Sequence, residues 1–226
     1  ESTTLDVGPR LWLLGGTRAD GMLTGFECYE IDEERWVGDP LAFEYEEPAP
    51  PPVTNAAACV APRGDTEVIF LFGGKNKDGL IIDDFWQFDV RRVQWERVSA
   101  EGELPCAREL HTLTRVLTRY LVLFGGLAAD ASPVVEISLF DLHTGTWSTR
   151  MPVVPVPRFG HAAGSATGSL YIFGGSDGQS ALAQAHRIDC HALFPQLSAL
   201  SFDGAPEKMM VARSSKSFVD MAVEIG

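Results

Sequence analysis

Leu121-Val122-Leu123-Phe124-Gly125-Gly126 decides how the rest of this chain is read. An apolar run ends in two glycines, and the design recurs three times. The copies are Leu11-Trp12-Leu13-Leu14-Gly15-Gly16, Ile69-Phe70-Leu71-Phe72-Gly73-Gly74 and Leu170-Tyr171-Ile172-Phe173-Gly174-Gly175. Their first glycines lie 58, 52 and 49 residues apart, a period that marks a repeat architecture. Unbroken apolarity without strict alternation predicts a strand covered on both faces, as in a sheet stacked between neighbours. Glycine after such a strand accepts positive φ and lets another backbone approach closely.

Other features keep step with the glycines. An apolar residue and an aspartate follow as Ile31-Asp32, Phe88-Asp89, Phe140-Asp141 and Ile188-Asp189. The aspartate suits a turn. A tryptophan comes 20 or 21 residues after the second glycine at Trp36, Trp95 and Trp147, and the fourth repeat has none. Two repeats open as Arg-x-x-His, at Arg108 with His111 and Arg158 with His161. Diglycine, apolar-Asp pair, tryptophan and opening together resemble the kelch repeat, over roughly residues 2 to 221.

The resemblance implies an all-β fold, a kelch-type β-propeller. Each repeat is one blade of four antiparallel strands, lettered A to D from the axis outward. Strand B carries the apolar run. Strand D carries the tryptophan, which is expected to fill the gap to the next blade with about 150–250 Å² of apolar contact. The structural residues are thus Gly15, Gly16, Trp36, Gly73, Gly74, Trp95, Gly125, Gly126, Trp147, Gly174 and Gly175. The blades are expected at about 1–40, 53–98, 106–151 and 157–203, with strand A of the first cut short and strand D of the fourth at Leu197–Phe202. Residues 207–226 then admit two readings. Ala212-Arg213-Ser214-Ser215-Lys216 opens a fifth blade of a longer propeller, or Lys216–Val223 returns as strand A of blade 1 and closes a ring of four.

A formal net charge of −13 repels phosphate backbones, so nucleic acid is not an expected partner. A basic or mixed protein surface is, and a peptide-like segment is one form of it. The longest apolar runs are about five residues, against roughly 20 for a membrane helix. Four cysteines (Cys28, Cys59, Cys106 and Cys190) form no CxxC pair. Free thiols point to a reducing, cytoplasmic or nucleocytoplasmic location.

Function is expected in loops on a rigid frame. The B–C loops (17–25, 75–84, 127–135 and 176–185) share a face with the D–A segments (38–52, 99–107 and 152–157). That face is the expected binding surface, with Arg18, Lys75 and Lys77 as candidate contacts. The 38–52 segment alternates aromatic and acidic residues around Phe43 and Tyr45, then turns proline-rich, as an arm for a basic groove would. Arg108 and Arg158 are candidates for gripping acidic peptides, against a structural role in the repeat. No nucleotide-binding, nucleophile-elbow or zinc-protease motif occurs, and no metal or cofactor is expected. His186, Cys190 and His191 are the one cluster with metal-ligand chemistry, and on a strand His186 and Cys190 share a face while His191 points to the other, so three converging ligands are not expected. The expected function is a non-catalytic protein-interaction module, a scaffold or adaptor. The alternatives are a kelch-propeller enzyme of the sugar-mutarotase or oxidase type, or a regulatory propeller of a larger enzyme. Tyr120 and Tyr171 lie on strand B and read as structural.

Overall fold

Side chains alternate between the two faces of a strand, so an apolar run between two blades serves two interiors at once. The computed structural model describes residues 3–7, 10–18, 21–22, 26–38, 48–64, 66–150, 157–193 and 210–214. The first sheet contains β1 (Thr3–Val7), β2 (Arg10–Leu14), β5 (Phe26–Glu30) and β6 (Arg35–Gly38), with a small ribbon of β3 (Thr17–Arg18) and β4 (Gly21–Met22) between β2 and β5. After β7 (Val53–Thr54) comes the second sheet: β8 (Ala57–Arg63), β9 (Thr66–Phe72), β11 (Phe85–Asp89) and β12 (Gln94–Arg97). The short β10 (Lys75–Asn76) follows β9. The third contains β14 (Thr112–Val116), β15 (Tyr120–Phe124), β16 (Ile137–Asp141) and β17 (Thr146–Arg150), and β13 (Glu101–Gly102) joins β17 in parallel as a fifth strand. The fourth contains β18 (Ala162–Ala166), β19 (Ser169–Phe173) and β20 (Ala185–Asp189), followed by the single-turn helix α1 (Cys190–Leu193).

Within each sheet the chain runs as an antiparallel meander from inner to outer strand. These are propeller blades in the A-to-D order that the sequence predicts. The inner strands are neighbours in turn, β1 beside β8, β8 beside β14 and β14 beside β18. β1 has its full five residues, where a shortened strand was expected. β21 (Met210–Ser214) pairs antiparallel with both β18 and β1, which joins the first and fourth blades in one eight-stranded sheet. The segments expected at 197–202 and 216–223 lie outside the described residues.

Three apolar interiors lie between the blades. On β9, Ile69 and Leu71 face Trp12 and Leu14 of blade 1, while Val68, Phe70 and Phe72 face Leu121 and Leu123 of blade 3. On β15 the alternation repeats: Leu121 and Leu123 face blade 2, and Tyr120, Val122 and Phe124 face Leu170 and Ile172 of blade 4. Trp95 is buried against Phe88 at 5.1 Å, and Trp147 against Phe72 at 5.8 Å and Phe85 at 5.2 Å. Cys190 of α1 is fully buried in the interior between blades 3 and 4, at the repeat position where Val90 and Leu142 line the other two interiors. Trp36 differs from its counterparts. It rests on Tyr29 at 5.2 Å but is 55% exposed, so it fills no gap between blades.

Candidate functional site

The repeat's opening residues fasten one blade to the next. Gly74 N–H donates to the Arg108 carbonyl at 2.8 Å, and Gly126 N–H donates to the Arg158 carbonyl at 2.9 Å. Gly16 N–H makes the same bond to Val53 at 3.3 Å. The histidine of each opening lies over the diglycine of the blade before it. His111 Nε2 donates to the Phe72 carbonyl at 3.1 Å, with its ring edge-on to Phe72. His161 meets Thr112 Oγ1 at 2.9 Å and sits edge-on to Phe124. Burial holds both imidazoles neutral: the His111 pKa lies well below its usual range, and that of His161 is pushed down to about 3.

Arg108 and Arg158 are fully buried. The Arg108 guanidinium donates to the Cys106 carbonyl at 3.2 Å and to Glu136 at 2.7 Å, and Arg158 donates to the Gly174 carbonyl at 3.0 Å. Their charged ends face their own blades rather than solvent, so the peptide-gripping role is replaced by a fastening one. The sequence held no local sign of the Arg108–Glu136 pair, because its partners are 28 residues apart.

The opening also ties the D–A segment to the B–C loop of the same blade. Thr54 pairs with Lys75, Glu109 bridges Leu127, and Phe159 bridges Ser176. The base of each loop is closed by a second bridge, Lys75 to Ile81, Leu127 to Pro133 and Ser176 to Ala181. Short polar side chains then cap the tips, as such residues do in turns. Asn76 Oδ1 accepts from the N–H groups of Asp78 and Leu80 at 3.0 and 2.9 Å. Asp130 accepts from Ser132 N–H at 3.0 Å, and Asp177 accepts from Gln179 and Ser180 N–H at 2.8 and 2.7 Å. The Ser132 hydroxyl, at 2.6 Å, together with its N–H holds the Asp130 carboxyl below its ordinary range, and the Ser180 and Gln179 N–H groups do the same for Asp177.

Loops and segments therefore share one face in blades 2 to 4. Leu80 (62% exposed), Leu104 (65%) and Val135 (43%) lie in these loops and segments, close in sequence to Ile82, Cys106 and Glu136, which bond or pair with Arg108. Sequence reasoning missed all three, since an exposed leucine has no signature in a single sequence. Lys75 pairs with Glu109 at 2.8 Å, and Asn55 donates to the same carboxylate at 2.8 Å, whereas Lys77 stands exposed at the loop tip. Arg18 ends β3, and the structure describes no side chain there. Phe43 and Tyr45 lie outside the described residues, although Ala49, farther along that segment, packs on the interior between blades 1 and 2. The opposite face consists of C–D turns, where Asp89 and Asp141 cap the N–H groups of Arg91 and His143 at 2.9 Å each.

Among the described residues, no three His, Cys, Asp or Glu side chains gather to hold a metal. The His186, Cys190 and His191 cluster is divided between β20 and α1, and the Cys190 thiol is pushed up to about 12 by burial. All four cysteines are free, and only Cys106 is exposed. No described helix is long and apolar enough to cross a membrane.

Sheets joined by diglycines, Arg-x-x-His openings and outer tryptophans define a kelch-type β-propeller. The KLHDC2/KLHL20/DRC7 Kelch-repeats domain family matches residues 1–196, and the chain belongs to the kelch-repeat family. It is 33% identical over 181 residues to the multiple epidermal growth factor-like domains protein 8 of mouse and of human, which covers 76% of this chain and 6% of theirs. It is 33% identical over 132 residues to acyl-CoA-binding domain-containing protein 5 of Arabidopsis thaliana (58% of this chain, 20% of that one). Against kelch domain-containing protein 2 of Bos taurus it is 29% identical over 130 residues (57% and 30%). The chain thus spans less than a third of the length of each of these relatives.

Proposed function

We propose that this chain is a protein-interaction module that holds a partner on the face built from its B–C loops and D–A segments. The observation that carries this is the repeated bracing of that face. In three successive blades the loop is bridged to the incoming segment, bridged across its own base and capped at its tip. A pre-ordered loop loses little entropy on binding, so few contacts suffice for affinity. Leu80, Leu104 and Val135 supply apolar anchors there, with Lys77 as a charged contact. The net charge of −13 favours a basic or mixed partner surface, including a peptide-like one.

A scaffold or adaptor role fits this reading. So does a cytoplasmic or nucleocytoplasmic setting, where the exposed Cys106 thiol would stay reduced. Affinity capture with the full chain tests the reading. Partners retained by the wild type should be lost with the triple variant Leu80→Ser, Leu104→Ser, Val135→Ser and kept with changes at Arg91 and His143 in the opposite turns. Capture that survives the triple variant but not the turn changes would move the site to the other face.

A further inference from the structure

Arg108 draws three distant stretches of chain to the joint between blades 2 and 3. Its N–H donates to the Ile82 carbonyl of the blade 2 loop at 3.4 Å. Its guanidinium donates to the Cys106 carbonyl of the D–A segment and to Glu136 of the blade 3 loop. Leu80, Leu104 and Val135 stand one or two residues from these contacts. All three side chains are exposed, and none packs into an interior between blades. Leu104 is fixed in that position. Glu103 N–H donates to the Trp147 carbonyl at 3.1 Å just before it, and Pro105 is buried just after it. The fold does not demand apolar residues here. Ile82, Val134 and Leu182 each donate an N–H to the second glycine of their own blade, at 3.0, 2.9 and 2.8 Å, which sets the loops in register. By that register Ser132 and Ala183, at the joint between blades 3 and 4, stand where Leu80 and Val135 do. Two of the three apolar residues are therefore particular to one joint.

The charge around them is one-sided. Residues 77–84, 99–106 and 130–136 carry seven carboxylates and a single lysine, Lys77. Arg97 pairs with Asp84 and Arg108 with Glu136, while Asp78, Asp83, Glu101, Glu103 and Asp130 are exposed. We propose that the joint between blades 2 and 3 is the docking surface for a cationic amphipathic segment of a partner protein. The apolar side of that segment seats on Leu80, Leu104 and Val135, and its lysines or arginines meet the carboxylates around them. This inference rests on the loop-face reading and narrows it to one joint and one kind of partner sequence. Apolar contact holds the segment, and the charge selects it: an acidic segment is repelled, and binding weakens with salt.

Cys106 lies beside this patch and is the one exposed cysteine of the four, so its rate of reaction with a maleimide reads occupancy. The probe is a short synthetic amphipathic peptide of leucine and lysine, with a counterpart in which glutamate replaces every lysine. At about ten times its Kd the lysine peptide should slow alkylation of the full chain about tenfold. Raising the salt to about 0.5 M should restore most of the rate. The glutamate peptide should have no effect. With Asp78→Lys, Asp83→Lys and Glu101→Lys combined, all at exposed side chains, the preference should reverse, so that only the glutamate peptide protects. Leu80→Ser, Leu104→Ser and Val135→Ser together should remove protection by either peptide. Equal protection by the two peptides, protection indifferent to the charge reversal, or no protection at all overturns the proposal. The charge-reversed chain also separates it from the broader reading. A captured partner lost with the three serine changes but kept by the charge-reversed chain leaves the loop face as the site and overturns this assignment. A partner kept by both variants overturns the loop face itself.

Discussion

At Gly125 a methyl group would have nowhere to go. Its φ is +65°, and a Cβ would run into the Arg158 carbonyl and come within 2.7 Å of the His161 ring. At Gly174 φ is +63°, but a Cβ would meet only the Leu182 carbonyl oxygen, at an ordinary contact distance of 3.4 Å. Gly174→Ala should therefore cost only the backbone penalty of a left-handed alanine, about 1–2 kcal/mol. Gly125→Ala should cost at least about 2 kcal/mol more, because the blade joint itself must shift. Urea denaturation of the two variants checks the difference, and equal losses would show that the neighbouring carbonyl is not what fixes the glycine. Arg108 makes a related demand. Glu136→Gln leaves a fully buried guanidinium without its counter-charge, at a cost of about 2 kcal/mol after allowing for the partial exposure of Glu136. Glu136→Gln melting within a degree of wild type would show that the backbone carbonyls alone satisfy the arginine.

Strands and their tryptophans show where reading the sequence succeeds and where it stops. The apolar runs and the turns at Asp89, Asp141 and Asp189 were legible because both depend on local chemistry, the aspartate capping the turn after its strand. In the first blade strand C ends at Glu30, and Ile31-Asp32, expected in the same place, lie within the turn itself. Trp36 follows its second glycine by 20 residues and Trp147 by 21, yet only Trp147 meets a neighbouring sheet, and spacing carries no information about what lies opposite. Trp147→Ala should cost about 3–5 kcal/mol, as expected of a buried indole, while Trp36→Ala should cost less than about 1 kcal/mol. Comparable losses in thermal denaturation would mean that Trp36 is covered in solution. The fifth strand of blade 3 and the helical turn at Cys190 were also illegible. The first is a two-residue contact 45 positions from its partner, and the second is a helical turn that follows the same Asp position from which blades 2 and 3 turn into β12 and β17. For the site, the loop limits were readable from composition, but their bracing by Glu109, Phe159 and Thr54 depends on pairings between distant segments.

Over the whole molecule, the blade joints make stability depend on pH. His161 is buried neutral with its pKa pushed down to about 3, and His111 is shifted the same way. The unfolded chain takes up protons on these rings below about pH 6.5, whereas the folded chain does not. Stability is therefore complete above about pH 6.5 and falls as the pH is lowered toward 3, by about 2 kcal/mol from His161 at pH 5. His161→Gln should flatten this dependence between pH 7 and 5, and an unchanged slope would show that other groups carry it. Joints of this kind keep the frame rigid, and the frame in turn holds the braced loops in place for a partner. Hydrogen–deuterium exchange on the full chain, with and without the partner recovered by affinity capture, tests that most directly. Protection should concentrate in residues 75–84, 127–135 and 176–185 and leave the turns at 90–93 and 142–145 unchanged. Protection of those turns with the loops unaffected would contradict the account.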